Sequence, residues 1–296
     1  MNRTVAVLGP GAVGGSLAVR LCLAHVPTIC ITHSGTAAAM TLAGLTLEYQ
    51  GKTLAARPRA VERLEEPVAL LLVTVKAPSL EEALDRIDPV AVADGAVLPL
   101  LNGLEHMEPL RARLGPHLVA GSISHFQAYR VGRVQIVETI SSPIVTMASD
   151  DLGQSELEDV AVLLRNAGVE VRIGQSEKRV LWHKLVRIAA LAAAMSATGR
   201  SIGQLRDDPE WRRRLEEAIA EACTVAEADG VPLRVASQWA IIDQMPDDLT
   251  TSAARDIAAG RRSELDAIAG AVLRAGERLG VPCPTLAGLA AQAGLR

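Results

Sequence analysis

The 296-residue sequence is poor in aromatic side chains: three Trp, two Tyr and one Phe make up 2% of it. Proteins that bind single-stranded nucleic acid stack bases on such rings, so the composition argues against that class. The formal net charge is −4, and no block of basic residues interrupts the chain. We therefore expect neither a nucleic acid nor an anionic membrane surface as a partner.

Cysteine is also scarce. Cys22, Cys30, Cys223 and Cys283 lie far apart, with no C-x-x-C pair and no neighbouring pair of histidines. This spacing indicates neither a disulfide framework nor a zinc site, and we expect no bound metal. Four isolated thiols are typical of a reduced, cytoplasmic protein.

Long apolar runs are missing as well. No stretch of about 18 uncharged apolar residues suggests a membrane span. Glycines interrupt the apolar residues near the N-terminus, which argues against a signal peptide. With 49% hydrophobic residues in 296 positions, the chain can still form two domains, each with its own core.

The most informative feature present is a glycine motif near the start. The apolar run Val5–Leu8 leads directly into Gly9, Gly11 and Gly14, in the pattern G-x-G-x-x-G. The run is typical of a buried strand, and residues 12–24 are predicted to form a helix. The glycines then lie on a strand-to-helix turn, where dinucleotide-binding folds hold a pyrophosphate. A purely structural glycine turn is the alternative.

Each position in this motif has a physical role. Gly9 permits the tight turn, Gly11 lets the backbone approach a phosphate, and Gly14 allows close packing of helix on strand. Ala12 and Val13 begin the predicted helix, whose N-terminal N–H groups would face the phosphates.

The rest of the first half alternates between strand-like and helix-like segments. This alternation predicts a mostly parallel sheet with helices on both sides. Strands are predicted at 28–32, 45–49, 68–75, 96–100, 118–123, 134–147 (as strand, turn, strand) and 169–173, and helices at 36–43, 80–87 and 155–167.

The pattern changes after Gly174, where only helical periodicity remains. Helices are predicted at 176–197, 211–229, 232–244 and 252–279. The predicted fold is therefore α/β, with a Rossmann-type dinucleotide-binding domain at 1–174. An all-helical domain carrying substrate and catalytic residues follows at 175–296.

Two polar positions follow predicted strands of the first domain. Lys76 comes directly after the apolar run 68–75, at the strand end where open α/β sheets bind ligands. The alternative is a lysine that only marks the exit of the strand into solvent. Asn102 and Gly103 follow the next strand, although Asn-Gly is also a common turn dipeptide.

The end of the second predicted strand bears on the choice of cofactor. NAD sites usually carry a carboxylate there, which binds the ribose diol. Thr32, His33 and Ser34 stand at this point without a carboxylate or an arginine beside them. Their hydrogen-bond donors suit a 2′-phosphate, so the sequence favours NADPH, with NADH as the alternative.

One lysine stands on an otherwise apolar helix face of the second domain. Lys184, Ile188 and Ala192 are spaced four apart and share that face. Either the lysine stem extends to solvent, or the ammonium points into a cleft. A partly desolvated lysine has a lowered pKa and can donate a proton.

A carboxylate stands near a predicted helix start. Ser263 followed by Asp266 resembles a capping box after the break at Gly260, which places Glu264 in the first helical turn. The macrodipole there favours an ionised carboxylate. Glu264 either stabilises the helix start or holds a lysine or a substrate hydroxyl.

Together these motifs resemble the ketopantoate reductase (2-dehydropantoate 2-reductase) family over nearly the whole chain. They follow in the order G-x-G-x-x-G at 9–14, Lys76, Asn102-Gly103, Gly-Ser-x-Ser-His at 121–125, Trp-x-Lys-Leu at 182–185, and Ser-x-x-x-Asp-x-x-x-Gly-Arg-x-Ser-Glu-x-Asp from Ser252.

The resemblance implies NADPH-dependent reduction of a 2-oxo acid to a 2-hydroxy acid, as in pantothenate biosynthesis. It implies that Lys184 is the general acid and that Glu264 positions lysine and substrate. Asn102 and Lys76 match residues near the nicotinamide and the substrate. Ser252 matches a hydroxyl that binds the substrate carboxylate.

The chain also departs from the family pattern. The family carries asparagines at the positions of Ile188 and Ala192, and an arginine contacting the 2′-phosphate near the position of His33. A buried polar group left without a partner costs about 1–3 kcal/mol. We therefore expect a substrate more apolar than ketopantoate.

Two further interpretations stay open at this point. One is a reductase of another keto or imine intermediate of a biosynthetic pathway. The other is a non-catalytic NADP-binding sensor that kept the fold. A largely apolar helical domain is also compatible with a homodimer.

Overall fold

The computed structural model describes residues 3–295, which fold into two compact units. The first unit takes in the chain up to Leu101 together with His106–Val180. The second takes in Asn102–Glu105 together with the chain from Leu181 onward. Asn102, expected among the residues of the first domain, therefore belongs to the second unit.

The strands range in length from three to fourteen residues. Their bounds are β1 Val5–Leu8, β2 Thr28–Ile31, β3 Leu45–Tyr49, β4 Lys52–Ala56, β5 Arg59–Val61, β6 Leu70–Val73, β7 Ala96–Pro99, β8 Ala120–Val131, β9 Gln135–Ala148 and β10 Glu170–Ile173.

The helices alternate with strands in the first half of the chain and follow one another in the second. Their bounds are α1 Ala12–Leu23, α2 Ser34–Ala43, α3 Leu80–Leu84, α4 Met107–Leu114, α5 Gln154–Asn166, α6 Glu177–Thr198, α7 Ile202–Arg206, α8 Pro209–Ala228, α9 Val235–Ile242, α10 Ser252–Ala258, α11 Ala271–Leu279 and α12 Pro284–Gln292. Short 3₁₀ segments lie at Ala77–Ser79 and Pro89–Val92, and a π-helical segment lies at Asp266–Gly270.

A five-stranded parallel sheet forms the centre of the first unit, in the order β5-β2-β1-β6-β7. Every residue of β1, β2, β6 and β7 is buried. Burial on both faces explains why these strands are continuous apolar runs in the sequence. The predicted α/β class with a Rossmann-type parallel sheet is confirmed.

A second sheet, which the sequence did not reveal, lies in the same unit. It has the order β10-β9-β3-β4, with β8 paired antiparallel to β9. The sequence analysis predicted a mostly parallel sheet and did not identify this second sheet. Alternating apolar segments mark strands but do not say which strands share a sheet.

Within this second sheet, the predicted strand-turn-strand at 134–147 is a single strand, β9. The hairpin turn comes earlier, at Gly132, where φ is +61°. Pro143 is accommodated inside β9 because the pairing with β8 is irregular between Ser124 and Phe126. His125 adopts a φ of +51° at that irregularity. A proline that lacks an N–H is tolerated where the ladder is already broken.

Helix α1 contacts strands of both sheets: β1 and β2 of the first, and β3, β4, β8 and β9 of the second. Its buried face carries a polar cluster with β9. Arg20 Nη2 lies 2.7 Å from Glu138 Oε2, and the Ser16 hydroxyl donates to the same carboxylate. Glu138 is only 7% exposed. This ion pair therefore links α1 to the second sheet in a buried position.

The second unit is built mainly around α6. The helix is buried on most of its circumference, because alanine and other apolar residues occupy nearly every turn. Its length and hydropathy would allow it to cross a membrane, yet 72% of its most apolar stretch is buried inside the protein. Core helices commonly pass the same test. Helices α9, α11 and α12 pack on α8 in this unit.

The remaining predicted helices of this unit are shorter in the structure. The helix predicted at 232–244 is α9, and the one at 252–279 divides into α10, the π-helical segment and α11.

All four cysteines are free thiols. Among residues 3–295, no group of His, Cys, Asp and Glu side chains is placed to hold a metal ion.

We expect Glu138→Ala to lower the free energy of unfolding by about 3–5 kcal/mol, because it leaves the largely buried Arg20 charge without its partner. Urea denaturation followed by circular dichroism measures the change. Glu158 is the control, since its pair with Arg165 is solvent-exposed and its loss should cost less than about 1 kcal/mol. Equal decreases in the free energy of unfolding in Glu138→Ala and Glu158→Ala would show that burial does not decide the strength of an ion pair.

Candidate functional site

The glycine motif forms the turn between β1 and α1. Gly9 has a φ of +80°, and the Gly11 N–H donates to its carbonyl at 2.6 Å. A Cβ at Gly9 would lie 2.4 Å from Val75 Cγ1. Both the backbone conformation and the close approach therefore require glycine.

The Thr74 side chain stabilises this turn by hydrogen bonds. Its Oγ1 lies 2.9 Å from the Gly9 carbonyl and 3.0 Å from the Leu8 carbonyl. A Cβ at Gly14 would lie 2.1 Å from the same hydroxyl. The sequence analysis did not single out Thr74 as a site residue, although it is the one polar position in the run 68–75.

The space above the turn is open, in contrast. A Cβ at Gly11 would meet nothing closer than the Gly9 carbonyl, at 3.8 Å. Helix α1 starts here at Ala12 and Val13, and its first turn contains no acidic residue. Open space at a helix N-terminus with free N–H groups suits a diphosphate, so these residues fit the dinucleotide expected from the sequence.

The end of β2 carries more positive charge than the sequence suggested. His33 is the residue before α2, and Arg86 Nη2 lies 2.7 Å from its Nδ1. Arg86 also donates to the Glu62 carbonyl at 3.4 Å and lies 3.9 Å from the Glu82 carboxylate. An arginine does stand beside His33, but it comes from a position 53 residues later in the chain.

A second arginine reaches the first turn of α2 from the β8–β9 turn. A Cβ at Gly35 would lie 3.1 Å from Arg133 Nη1. The first turn of α2 has no acidic residue. His33, Arg86 and Arg133, with Ser34 in the same turn, thus form a cationic cluster that local sequence could not indicate.

Lys76 lies in the first unit, on its surface. Strand β6 ends at Val73 rather than at Val75 as predicted, because Thr74 and Val75 turn beneath the glycine motif. Lys76 then precedes the 3₁₀ segment Ala77–Ser79, and its carbonyl accepts the Ser79 N–H at 2.9 Å.

Three predicted site residues meet in the second unit, although they come from three distant parts of the chain. Lys184 Nζ donates to Asn102 Oδ1 at 2.8 Å. Asn102 Nδ2 donates in turn to Glu264 Oε2 at 3.3 Å. The amide therefore presents its acceptor to the ammonium and its donor to the carboxylate.

Burial changes the pKa of Lys184. Desolvation lowers the pKa of Lys184 to about 8; the Glu264 charge opposes this shift, and the Arg187 charge adds to it. Glu264 itself is only 7% exposed. An ammonium with such a pKa can give up a proton near neutral pH.

The loop that carries Asn102 is held against the π-helical segment. Gly103 has a φ of +94°, and a Cβ there would lie 2.3 Å from the Ala267 carbonyl. Arg274 binds both oxygens of Glu105, at 2.8 and 2.7 Å, and Asp266 Oδ1 at 2.8 Å. These contacts fix Asn102 relative to the helix that begins beside Glu264.

Glu264 lies just before that helix, whereas the sequence analysis placed it in the first turn. Its carbonyl accepts the Ile268 N–H at 3.0 Å, and the π-helical segment begins at Asp266. The predicted capping box does not form, because the Asp266 carboxylate binds Arg274 instead. The Ser263 hydroxyl accepts the Leu265 N–H at 3.2 Å.

Ser252 is not brought into the trio of Lys184, Asn102 and Glu264. It is the exposed first residue of α10 and makes no hydrogen bond to any of them within residues 3–295. The link is indirect: the Ser263 hydroxyl, next to Glu264, donates to the Ala253 carbonyl at 3.3 Å.

Two family models match the chain. Residues 5–148 match the family model described as "Ketopantoate reductase PanE/ApbA". Residues 177–295 match the model "Ketopantoate reductase PanE/ApbA C terminal". The two models together cover most of both units.

Relatives extend over nearly the full length. The chain is 25% identical to a 2-dehydropantoate 2-reductase of Caulobacter vibrioides, over 95% of this chain and 94% of that protein. A PanE/ApbA family ketopantoate reductase structure from Ralstonia eutropha is 27% identical, with a TM-score of 0.87 and coverage of 99% and 97%. The structure of D-mandelate dehydrogenase with NADH and anilino(oxo)acetate shares the fold at 21% identity, with a TM-score of 0.88 and coverage of 98% and 97%.

The match of both family models, in the order in which the two units occur, assigns the chain. It belongs to the ketopantoate reductase family of oxidoreductases.

Proposed function

We propose that the protein reduces a 2-oxo acid to a 2-hydroxy acid with NADPH, and that Lys184 donates the proton. The observation that carries this proposal is the half-buried Lys184 ammonium, bound to Asn102 with Glu264 behind it. A non-catalytic sensor has no chemical need for such an ammonium. The four free thiols support a reduced, cytoplasmic setting.

The proton-transfer step uses this chain's own side chains. A bound reduced nicotinamide supplies the hydride that the carbonyl carbon accepts. The carbonyl oxygen then carries negative charge, which the Lys184 ammonium stabilises and neutralises by giving up one proton. Asn102 Oδ1 holds Nζ in one orientation throughout, and Glu264 orients the Asn102 amide.

The cationic cluster at the end of β2 supports NADPH over NADH. Arginine is the residue that commonly accommodates a 2′-phosphate at this point of the fold. Arg86 donates to His33 Nδ1, which fixes the neutral ring proton on Nε2 and leaves a second donor for a phosphate. Arg133 adds a further charge over the first turn of α2.

The apolar helix face beside Lys184 supports a substrate more apolar than ketopantoate. Ile188 and Ala192 follow Lys184 on α6 and offer no hydrogen bond to a substrate hydroxyl. We also propose that Lys76 contacts cofactor and substrate and that the exposed Ser252 hydroxyl contacts the substrate, as the family resemblance implies.

We expect the protein to oxidise NADPH with 2-oxo acids that carry branched or aryl side chains, and more slowly with ketopantoate. Lys184→Met should lower kcat by about 10²–10⁴-fold, the usual contribution of a general acid, while NADPH binding is retained. The exposed Lys52→Met is the control and should keep full activity. Retained turnover in Lys184→Met would contradict the proposed proton donor.

The rate should depend on pH through the same lysine. Because the protonated form is the donor and the pKa of Lys184 is about 8, kcat/KM should be constant below that pH and fall above it. Glu264→Gln removes the charge that raises this pKa, so the alkaline limb should move to lower pH. If the alkaline limb of the pH profile does not move in Glu264→Gln, the ionisation belongs to another group.

The third expectation concerns the cofactor. Arg86→Leu and Arg133→Leu should each raise the Kd of NADPH about 10–100-fold, because charge-assisted hydrogen bonds contribute about 1.5–3 kcal/mol. The Kd of NADH should not change. Arg130→Leu, on the exposed end of β8, is the matched control. Equal weakening of both cofactors would place the 2′-phosphate elsewhere.

A further inference from the structure

Arg274 on α11 is the centre of an ion-pair network that the proposed proton transfer does not use. Its Nε and Nη2 bind the two oxygens of Glu105, at 2.8 and 2.7 Å. Its Nη1 lies 2.8 Å from Asp266 Oδ1, and its Nη2 lies 3.2 Å from the Asp266 carbonyl oxygen. One guanidinium therefore joins two segments of the chain, although 169 residues separate Arg274 from Glu105.

Each of the two carboxylates lies close in sequence to a member of the trio. Glu105 is the last residue of the loop 102–105, which begins with Asn102. Asp266 is the first residue of the π-helical segment and follows Glu264 by two positions. Within residues 3–295, no hydrogen bond of Arg274 reaches the trio itself. Arg274 can therefore act on the trio only through the segments that carry Asn102 and Glu264.

The π-helical segment is shaped by the same contacts. The Asp266 carbonyl accepts the Ala271 N–H, five residues later, as a π turn requires. Arg274 Nη2 shares that carbonyl oxygen. A Cβ at Gly270 would lie 2.6 Å from Asp266 Oδ1 and 3.0 Å from Arg274 Nη1. Glycine at this position therefore leaves room for the ion pair.

The longest hydrogen bond of the trio is the one that joins these two segments. Asn102 Nδ2 lies 3.3 Å from Glu264 Oε2, whereas Lys184 Nζ lies 2.8 Å from Asn102 Oδ1. The carboxylate orients the amide, because an amide rotated by half a turn would present its NH2 group to the ammonium. A small shift of the loop away from the π-helical segment would break the longer bond first.

Without the guanidinium, the two segments would repel each other, since Glu105 and Asp266 are carboxylates that bind the same group. The contacts of the loop through Gly103 and Leu104 are neutral and do not oppose this repulsion. Isolated exposed ion pairs contribute little, but a bidentate arginine in a network of three charges is the favourable exception.

We infer that Arg274 is a positioning residue for the proposed proton donor. It holds the loop and the π-helical segment together, so that Glu264 orients the Asn102 amide and the amide oxygen faces Lys184. This inference rests on the proposed function and adds a residue that acts on proton transfer without touching the substrate. The loss of Arg274 should therefore slow the reaction more than it weakens binding.

Steady-state kinetics with NADPH and the 2-oxo acid that is reduced fastest test this inference. Arg274→Met should lower kcat about 10–100-fold, because displacement of a catalytic group by about 1 Å has effects of that size. KM for the acid and the Kd of NADPH should change little. The melting temperature should also change little, because these ion pairs are exposed. Arg278→Met, exposed on the same helix, is the matched control and should keep full activity.

Double-mutant cycles show which groups Arg274 acts through. In an Asn102→Ala background, Arg274→Met should lower kcat by less than about twofold further, because the amide that it positions is gone. Glu105→Gln should offset part of the loss in Arg274→Met, because it removes the repulsion between Glu105 and Asp266. A residue that only stabilised the fold would give additive losses in both cycles.

The outcomes are distinguishable. A wild-type protein that reduces 2-oxo acids, with an unchanged kcat in Arg274→Met, overturns this inference and leaves the proposed function intact. Additive losses of Arg274→Met and Asn102→Ala overturn it as well. If Arg274→Met does not fold, an unchanged kcat in Glu105→Gln overturns it equally. A wild-type protein that reduces no 2-oxo acid overturns the proposed function and this inference with it.

Discussion

The proposed chemistry of the second unit depends on one hydrogen bond, from the Lys184 ammonium to the Asn102 amide oxygen at 2.8 Å. A direct ion pair with Glu264 would favour the charged lysine and make it a poor donor, whereas burial alone would remove its proton. An amide between the two groups holds the ammonium in place with a partial charge only. The pKa of about 8 reflects that compromise among burial, Glu264 and Arg187.

Several contacts away from Lys184 support this hydrogen bond. Asn102 lies on a four-residue loop, Asn102–Glu105, that groups with the second unit although the flanking chain belongs to the first. Arg274 holds that loop through Glu105 and holds the π-helical segment through Asp266. Gly103 permits contact with the Ala267 carbonyl at a distance that a side chain would prevent. A π-helical turn at this point is consistent with the frequent occurrence of such turns at functional sites.

The sequence predicted those features that local residue patterns determine. The glycine turn, the apolar parallel strands and the helical second half follow from short-range periodicity, and the family resemblance pointed to the trio of Lys184, Asn102 and Glu264. The sequence did not predict the second sheet, because strand pairing is non-local. It also did not predict that Asn102 groups with the second unit. Arg86 could not be found beside His33, since 53 residues separate them. The helix start at Glu264 was misplaced because Arg274 competes for the Asp266 carboxylate.

The departures from the family pattern bear on which substrates the proposed site would accept. Apolar residues at positions 188 and 192 remove hydrogen bonds to the polar parts of a substrate. Ala192 is fully buried in the core of the second unit, whereas Ile188 is only partly buried, so Ile188 is the member of the pair that a substrate would meet. A site of this kind would accept bulky apolar 2-oxo acids and discriminate against those whose side chains need hydrogen bonds, because their polar groups would be buried without partners.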